Sequence, residues 1–162
     1  MIHSLLSKLD SKVGLEKASA HCDVPCGIYD PSTALISALT VVRMVDLIED
    51  LESNTADKAG VANKMIRCVA QKEEHAEDVK HEVRIIWGDF LKEAAAQEAH
   101  DLTHRIMLKA SACRQGVNRD DAVELVELVN EFAELFWKAK GVETTRAVCP
   151  YEPKLETVYP VL

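Results

Sequence analysis

The 162-residue sequence has few aromatic residues, few glycines and prolines, and no long uncharged apolar run. Aromatic side chains make up 5% of the residues, and only 6 glycines and 5 prolines are present, so the composition favours helices over sheets. A membrane-spanning helix requires roughly 20 predominantly apolar residues, and no stretch of the sequence approaches that length. We therefore expect no membrane segment.

Basic clusters are also missing. The sequence contains 19 Lys and Arg against 27 Asp and Glu, which gives a formal charge of −8. Because binding to a nucleic-acid backbone depends on grouped basic contacts, this balance argues against a nucleic-acid partner. A hydrophobic content of 48% with 28% charged residues is typical of a folded globular domain rather than a disordered chain.

The first 20 residues do not have the long apolar core of an export signal. Apart from Met1-Ile2, their only adjacent apolar pair before the charged residues begin at Lys8 is Leu5-Leu6. We therefore expect a cytoplasmic protein. The small residues at positions 18–20 are nevertheless typical of a peptidase site, with cleavage between Ala20 and His21.

Four segments show the apolar spacing of amphipathic helices, and the connections between them are short. Their predicted limits are about Asp30 to Leu51, Asp57 to Trp87, Asp89 to Cys113, and Asn118 to Gly141. Lys72 is the one break in the apolar stripe of the second helix. This pattern predicts an all-α fold, an antiparallel up-and-down four-helix bundle. Residues 142–162 contain three prolines and are predicted to form an irregular tail.

The segment 21–31, which we call the hook, contains one imidazole and two thiols within six residues, those of His21, Cys22 and Cys26. Pro25 and Gly27 favour a compact loop just before the first helix. Thiolates combined with nitrogen donors favour late transition metals, and a planar set of these donors indicates Ni(II) or Cu(II) over tetrahedral zinc. Cleavage before His21 would add a fourth donor, an α-amine with a pKa of about 8. The alternative is that the two thiols are incidental.

The hook reads His-Cys-Asp-Val-Pro-Cys-Gly-Ile-Tyr-Asp-Pro and closely resembles the active-site hook of nickel superoxide dismutases. Their mature chains begin with His-Cys-Asp-x-Pro-Cys-Gly-x-Tyr-Asp-Pro. Weaker similarity continues in the segment 87–90, Trp-Gly-Asp-Phe, and in Phe136-Trp137. The resemblance covers roughly residues 21–141 and implies a four-helix bundle that assembles into a homohexamer.

The resemblance also implies a role for each residue of the hook. His21 would supply its α-amine and an axial imidazole, Cys22 a thiolate and its backbone nitrogen, and Cys26 the second thiolate to one nickel ion per subunit. Tyr29 and Asp23 would be the catalytic residues outside the ligand set: the tyrosine hydroxyl would order water or substrate, and Asp23 would hold the shape of the hook. Residues 1–20 would be a pro-segment that a peptidase removes.

The implied activity is the disproportionation of superoxide to dioxygen and hydrogen peroxide by Ni(III)/Ni(II) cycling. Two alternatives stay open: a bundle that binds or sequesters nickel without turnover, and a purely structural bundle. The chain also departs from some relatives, because Phe90 stands where they have a second tyrosine. Ser37 and His75 occupy the places at which other members support the axial imidazole with Glu and Arg.

Overall fold

The computed structural model describes residues 26–52, 57–91 and 96–162. The predicted pro-segment and the hook residues His21, Cys22 and Asp23 lie outside these ranges. The helices are α1 (Ser32–Glu52), α2 (Lys58–Ile85), α3 (Ala96–Gln115) and α4 (Arg119–Ala139).

The four helices form a bundle in which each packs against two others. Helix α1 lies between α2 and α4, and α3 packs against the same two helices. Most apolar residues predicted to face inward are buried: Leu35, Leu39, Val42 and Val45; Ala76, Val79 and Val83; Leu102 and Ile106; Val126, Val129, Phe132 and Phe136. Met65 and Val69, predicted on the same face of the second helix, are only half-buried. The predicted four-helix bundle is therefore confirmed. Within the described ranges, every helix is too polar or too short to span a lipid bilayer.

Polar side chains define where the helices begin. The Asn118 side chain accepts a hydrogen bond of 3.1 Å from the backbone N–H of Asp121, and the Asp57 carboxylate accepts one of 3.0 Å from that of Gly60. Each bond satisfies an N–H that has no partner within its own helix. These caps explain why the predicted starts of α2 and α4 agree with the structure to within a residue.

The predicted start of the third helix at Asp89 is wrong. Residues Ile86–Phe90 instead extend α2 as a π-helical turn, which ends where the N–H of Leu91 donates to the carbonyl of Ile86 at 3.2 Å. Helix α3 begins only at Ala96. A π turn changes the direction of the side chains within it, and Trp87 and Phe90 of this turn are half-buried against the core.

Lys72, the break in that stripe, is almost completely buried. Its ammonium group donates to the carbonyl oxygens of Cys113 and Arg114 in the last turn of α3, the second at 3.0 Å. Carbonyls in the last turn of a helix have no partner within the helix, so a cation is favourable at that position. Lys72 thus fastens the end of α3 to α2.

The predicted irregular tail is also wrong, because it contains a β-hairpin. Strands β1 (Thr144–Val148) and β2 (Glu156–Pro160) pair antiparallel, with Thr144 opposite Pro160. Both strands are rich in the β-branched residues that favour pleated structure. The prolines do not interrupt the pairing: Pro160 is the last residue of β2, and the other two lie in the connection.

Candidate metal centre

The end of the hook joins directly to α1. Gly27 has a φ of +70°, in the left-handed region that side chains other than glycine rarely adopt. Three residues later, Asp30 Oδ1 accepts a hydrogen bond of 2.8 Å from the N–H of Ser32, and Pro31 opens the first turn. Asp30 therefore fixes the start of α1, and the Cys26 side chain four residues earlier is exposed.

A row of aromatic rings lies against the hook. The Tyr29 ring is 5.9 Å from that of Phe90, Phe90 is 4.9 Å from Phe136, and Phe136 is 5.0 Å from Trp137, all measured between ring centroids. The rings are tilted or edge-on, which are the favoured arrangements of aromatic pairs. Because Phe90 belongs to the π turn and Phe136 to α4, this row connects Tyr29 to two elements of the bundle.

The ammonium group of Lys140 lies over the same rings. Its Nζ is 5.3 Å from the centroid of Phe90 and 5.2 Å from that of Phe136. Both distances are within the range of a cation–π interaction. The end of the bundle that carries Cys26 and Tyr29 therefore also carries a positive charge.

A profile of the nickel-containing superoxide dismutases matches residues 16–140. The chain belongs to this family. It is 29% identical over 127 residues to the nickel superoxide dismutase of Streptomyces seoulensis, an alignment that covers 76% of this chain and 91% of the relative. It is 28% identical over 125 residues to that of Streptomyces coelicolor, covering 75% and 89%.

Solved nickel superoxide dismutases share the fold. A native structure superposes with a TM-score of 0.64 at 27% identity, covering 74% of this chain and 99% of that chain. A structure with nickel ligation corresponding to the oxidised state gives 0.65 at 27% identity, covering 75% and 99%. The family profile ends at residue 140, so the β-hairpin lies beyond the match.

Two predicted site residues lie within the described ranges, and the chemistry of their side chains suits a nickel site. Cys26 presents an exposed side chain, and thiolate is a ligand that stabilises late transition metals. Tyr29 is half-buried on the same loop, with its ring held by Phe90. The other predicted ligands, His21 and Cys22, lie outside the described residues.

Phe90 cannot form the hydrogen-bonded tyrosine pair of some relatives, because it offers Tyr29 a ring contact without a hydroxyl. The two positions at which other members support the imidazole with Glu and Arg differ in burial in this chain. Ser37 is buried in α1, whereas His75 is half-buried in α2 with its Nδ1 3.6 Å from Asp78 Oδ2.

The remaining cysteines of the helices pack into or near the core. Cys113 is buried, and this burial raises the pKa of its thiol to about 11; Cys68 is half-buried. Among residues 26–52, 57–91 and 96–162, no three His, Cys, Asp or Glu side chains converge as a metal site.

Lys140 was not predicted as a site residue from the sequence. The only signal was a lysine that follows the aromatic pair Phe136-Trp137 by three residues at the end of the fourth helix. That position is equally expected from the helix dipole, so the sequence does not distinguish the two roles.

Proposed function

We propose that the chain disproportionates superoxide at a nickel ion held by His21, Cys22 and Cys26. One observation carries the proposal: the complete hook sequence, with Cys26 exposed and Tyr29 half-buried, occurs in a member of the nickel superoxide dismutase family. Two superoxide anions and two protons give one dioxygen and one hydrogen peroxide. Bound nickel supplies the one-electron oxidation and reduction that this requires.

Each residue of the hook has its own proposed role at the metal. Thiolates of Cys22 and Cys26, with the amine and amide nitrogens of the first two residues of the processed chain, are strong electron donors that suit a high oxidation state of nickel. His21 would also supply its imidazole to the metal. Asp23 would hold the shape of the loop between the ligands.

Tyr29 is proposed to order water or superoxide next to the metal. Its half-buried ring rests on Phe90, which limits the directions its hydroxyl can take. A restrained phenol places a hydrogen-bond donor with little loss of conformational entropy when the substrate arrives. Because Phe90 has no hydroxyl, this role falls to Tyr29 and is not shared between two phenols.

Residues 1–20 are proposed to be a pro-segment. In the uncut chain the nitrogen of His21 belongs to the amide that joins it to Ala20, so it is not a free amine and cannot serve as the same donor. A peptidase that cuts between these residues would therefore control nickel binding. Assembly into hexamers and a cytoplasmic location stay predictions.

The proposal is tested with two forms of the protein, the chain from Met1 and a chain that begins at His21. We expect the chain from His21 to bind one nickel per subunit and to consume superoxide, and the chain from Met1 to do neither. In the shorter chain Cys26→Ser should abolish turnover and leave the helical circular dichroism unchanged. The matched control is Cys68→Ser, which alters a half-buried thiol of α2 and should keep full turnover.

Two results would contradict the proposal. Full turnover by Cys26→Ser would remove Cys26 from the ligand set. Stoichiometric nickel without superoxide consumption would favour the alternative, a protein that sequesters the metal.

A further inference from the structure

Two histidines of α3 lie one turn apart on the exposed side of the helix. His100 and His104 are separated by four residues, which places their Cβ atoms about 5–6 Å apart on one face. Both side chains are exposed, whereas Ala99 and Thr103, which directly precede them, are buried against the bundle. Two imidazoles at this spacing can bind one metal ion together, as the paired histidines of helical zinc sites do.

The ring of His100 is held in place by its neighbour. It packs on Trp87 of the π turn, with the ring centroids 5.7 Å apart and the planes tilted by 44°. Within residues 26–52, 57–91 and 96–162, neither His100 nor His104 has a hydrogen bond or an ion pair that a metal would have to break. The ring contact also lowers the conformational entropy that His100 loses when it binds an ion.

The charges around this pair favour a cation. Glu98 and Asp101 lie on the same two turns of α3, and the whole chain carries a formal charge of −8. Arg105, which follows the second histidine, is directed towards Glu131 of α4, with an N···O distance of 3.4 Å. A field of this sign raises the local concentration of cations.

We propose that His100 and His104 form a second metal site, separate from the hook, that binds one Ni(II) or Cu(II) ion. Imidazole suits these late divalent cations. Water would complete the coordination, because no third His, Cys, Asp or Glu converges on the pair in the described part of the chain. Two neutral imidazoles hold the ion less firmly than the thiolates, amine and amide proposed for the hook. This ion should therefore exchange freely, and a dialysed chain should retain nickel only at the hook.

The tryptophan beside the pair reports binding. The chain has two tryptophans, so Trp137→Phe leaves Trp87 as the only one. Ni(II) and Cu(II) have partly filled d shells and quench tryptophan fluorescence at short range. We expect saturable quenching of Trp87 by either ion, with Cu(II) bound more tightly than Ni(II).

The hook must not bind metal during this measurement. The titration therefore uses the chain from Met1 with Cys22→Ser and Cys26→Ser. Both thiols of the hook are then absent, and the nitrogen of His21 remains an amide. Because this background cannot form the hook site, the measurement does not depend on superoxide turnover.

Substitution of the pair identifies the ligands. His100→Gln or His104→Gln should weaken Ni(II) binding at least about tenfold, because even the loss of a group that hydrogen-bonds to a metal ligand costs about 10–100-fold in affinity. The double variant should bind little more weakly than either single one, because the chelate is lost with the first ligand. The matched control is His81→Gln, which removes an exposed histidine of α2 and should leave the affinity unchanged.

A further variant tests the spacing. His104→Gln combined with Arg105→His keeps the number of histidines but places the second imidazole five residues from His100, off the shared face. This variant should bind Ni(II) as weakly as His104→Gln alone.

Loss of binding in both single variants, with the control unchanged, would establish the site. Unchanged affinity in His104→Gln, or full affinity with the shifted histidine, would overturn it. So would a weaker affinity in His81→Gln, which would place the ion on α2. Displacement of Ni(II) by excess Mg(II), a hard cation that prefers oxygen ligands, would also overturn it, because the ion would then be held by carboxylates.

Discussion

The side chain of Asn130 in α4 binds the backbone of Val158 in β2. Its Oδ1 accepts a hydrogen bond of 3.1 Å from the Val158 N–H, and its Nδ2 donates one of 2.9 Å to the carbonyl of Glu156. One buried carboxamide thus occupies the polar groups of two strand residues, as a neighbouring strand would. Arg146 of β1 adds a second attachment, with its Nε 2.7 Å from Glu134 Oε1. These contacts attach the hairpin to α4.

We expect Asn130→Leu to destabilise the hairpin. Leucine has a similar volume, but it leaves the buried N–H of Val158 and the carbonyl of Glu156 without partners, at a cost of about 1–3 kcal/mol. Urea unfolding measures the loss, and hydrogen exchange should show it concentrated in residues 144–160. The control is Glu131→Gln at the next position, which removes only an exposed ion pair with Arg105 and should cost less than about 1 kcal/mol. Equal stability of the two variants would contradict the attachment.

The sequence predicts the bundle well because its signals are local and consistent. In α4, Asn118 supplies the cap, acids follow in the first turn, and apolar residues recur on one face. The same reasoning fails at Ile86–Phe90, where the sequence predicts a break between Trp87 and Asp89 but the chain continues from α2 as a π turn. Such a turn has no distinctive spacing of its own.

The sequence predicts an irregular tail because three prolines stand among its β-branched residues. Segments 144–148 and 156–160 each carry a strand signal, but two short strands are stable only when they pack on something else. Here that support is Asn130, a buried polar residue on the apolar face of α4, which the sequence does not connect to the tail. The hook, by contrast, can be predicted from the sequence because its proposed ligands lie within six residues of one another.

Lys72 is expected to contribute to stability through the end of α3. Lys72→Met keeps a long flexible side chain and removes the ammonium group, so the carbonyls of Cys113 and Arg114 lose their donor. The substitution also removes the free-energy cost of burying a charge, which offsets part of that loss. The same burial lowers the pKa of Lys72. We expect a net cost of about 1 kcal/mol and faster hydrogen exchange in the last turn of α3.

The matched control for this change is Lys64→Met. Lys64 is exposed on the same helix, so its replacement should leave the stability within about 0.5 kcal/mol of the parent. A more stable Lys72→Met protein with unchanged hydrogen exchange in the last turn of α3 would show that the buried ammonium group destabilises the fold.

Because of the buried Cys113 thiol, we expect the free energy of unfolding to fall at alkaline pH. Burial raises its pKa from an ordinary value of 9.0 to about 11 in the folded chain, so the unfolded state releases its proton first. The free energy of unfolding therefore falls as the pH rises from about 9 to about 11, by on the order of 2 kcal/mol from this group. Lys72, whose pKa is lowered, acts in the opposite direction.

Comparison with Cys113→Ala isolates the thiol from the other titrating groups. The variant loses packing at every pH, but its stability should decline less than that of the parent between pH 8 and pH 11. Urea unfolding at both pH values gives the difference. Parallel declines in the two proteins would mean that Cys113 titrates in the folded chain as it does when unfolded.

The last prediction concerns the turn of the hook at Gly27. Its φ of +70° costs other residues roughly 1–2 kcal/mol, although an added Cβ would meet no atom of the described residues within 4 Å. Gly27→Ala should therefore shift the loop from which Cys26 projects and weaken nickel binding about tenfold, whereas Gly27→Asn, which tolerates this conformation better, should bind more tightly than the alanine variant.

Gly116→Ala is the control, because the φ of Gly116 is not in the left-handed region and its added Cβ would make only an ordinary contact, 3.6 Å from the Ala112 carbonyl. Competition with a chelator measures nickel affinity in the chain from His21. Equal affinity of Gly27→Ala and the parent would show that the conformation at Gly27 does not position the metal ligands.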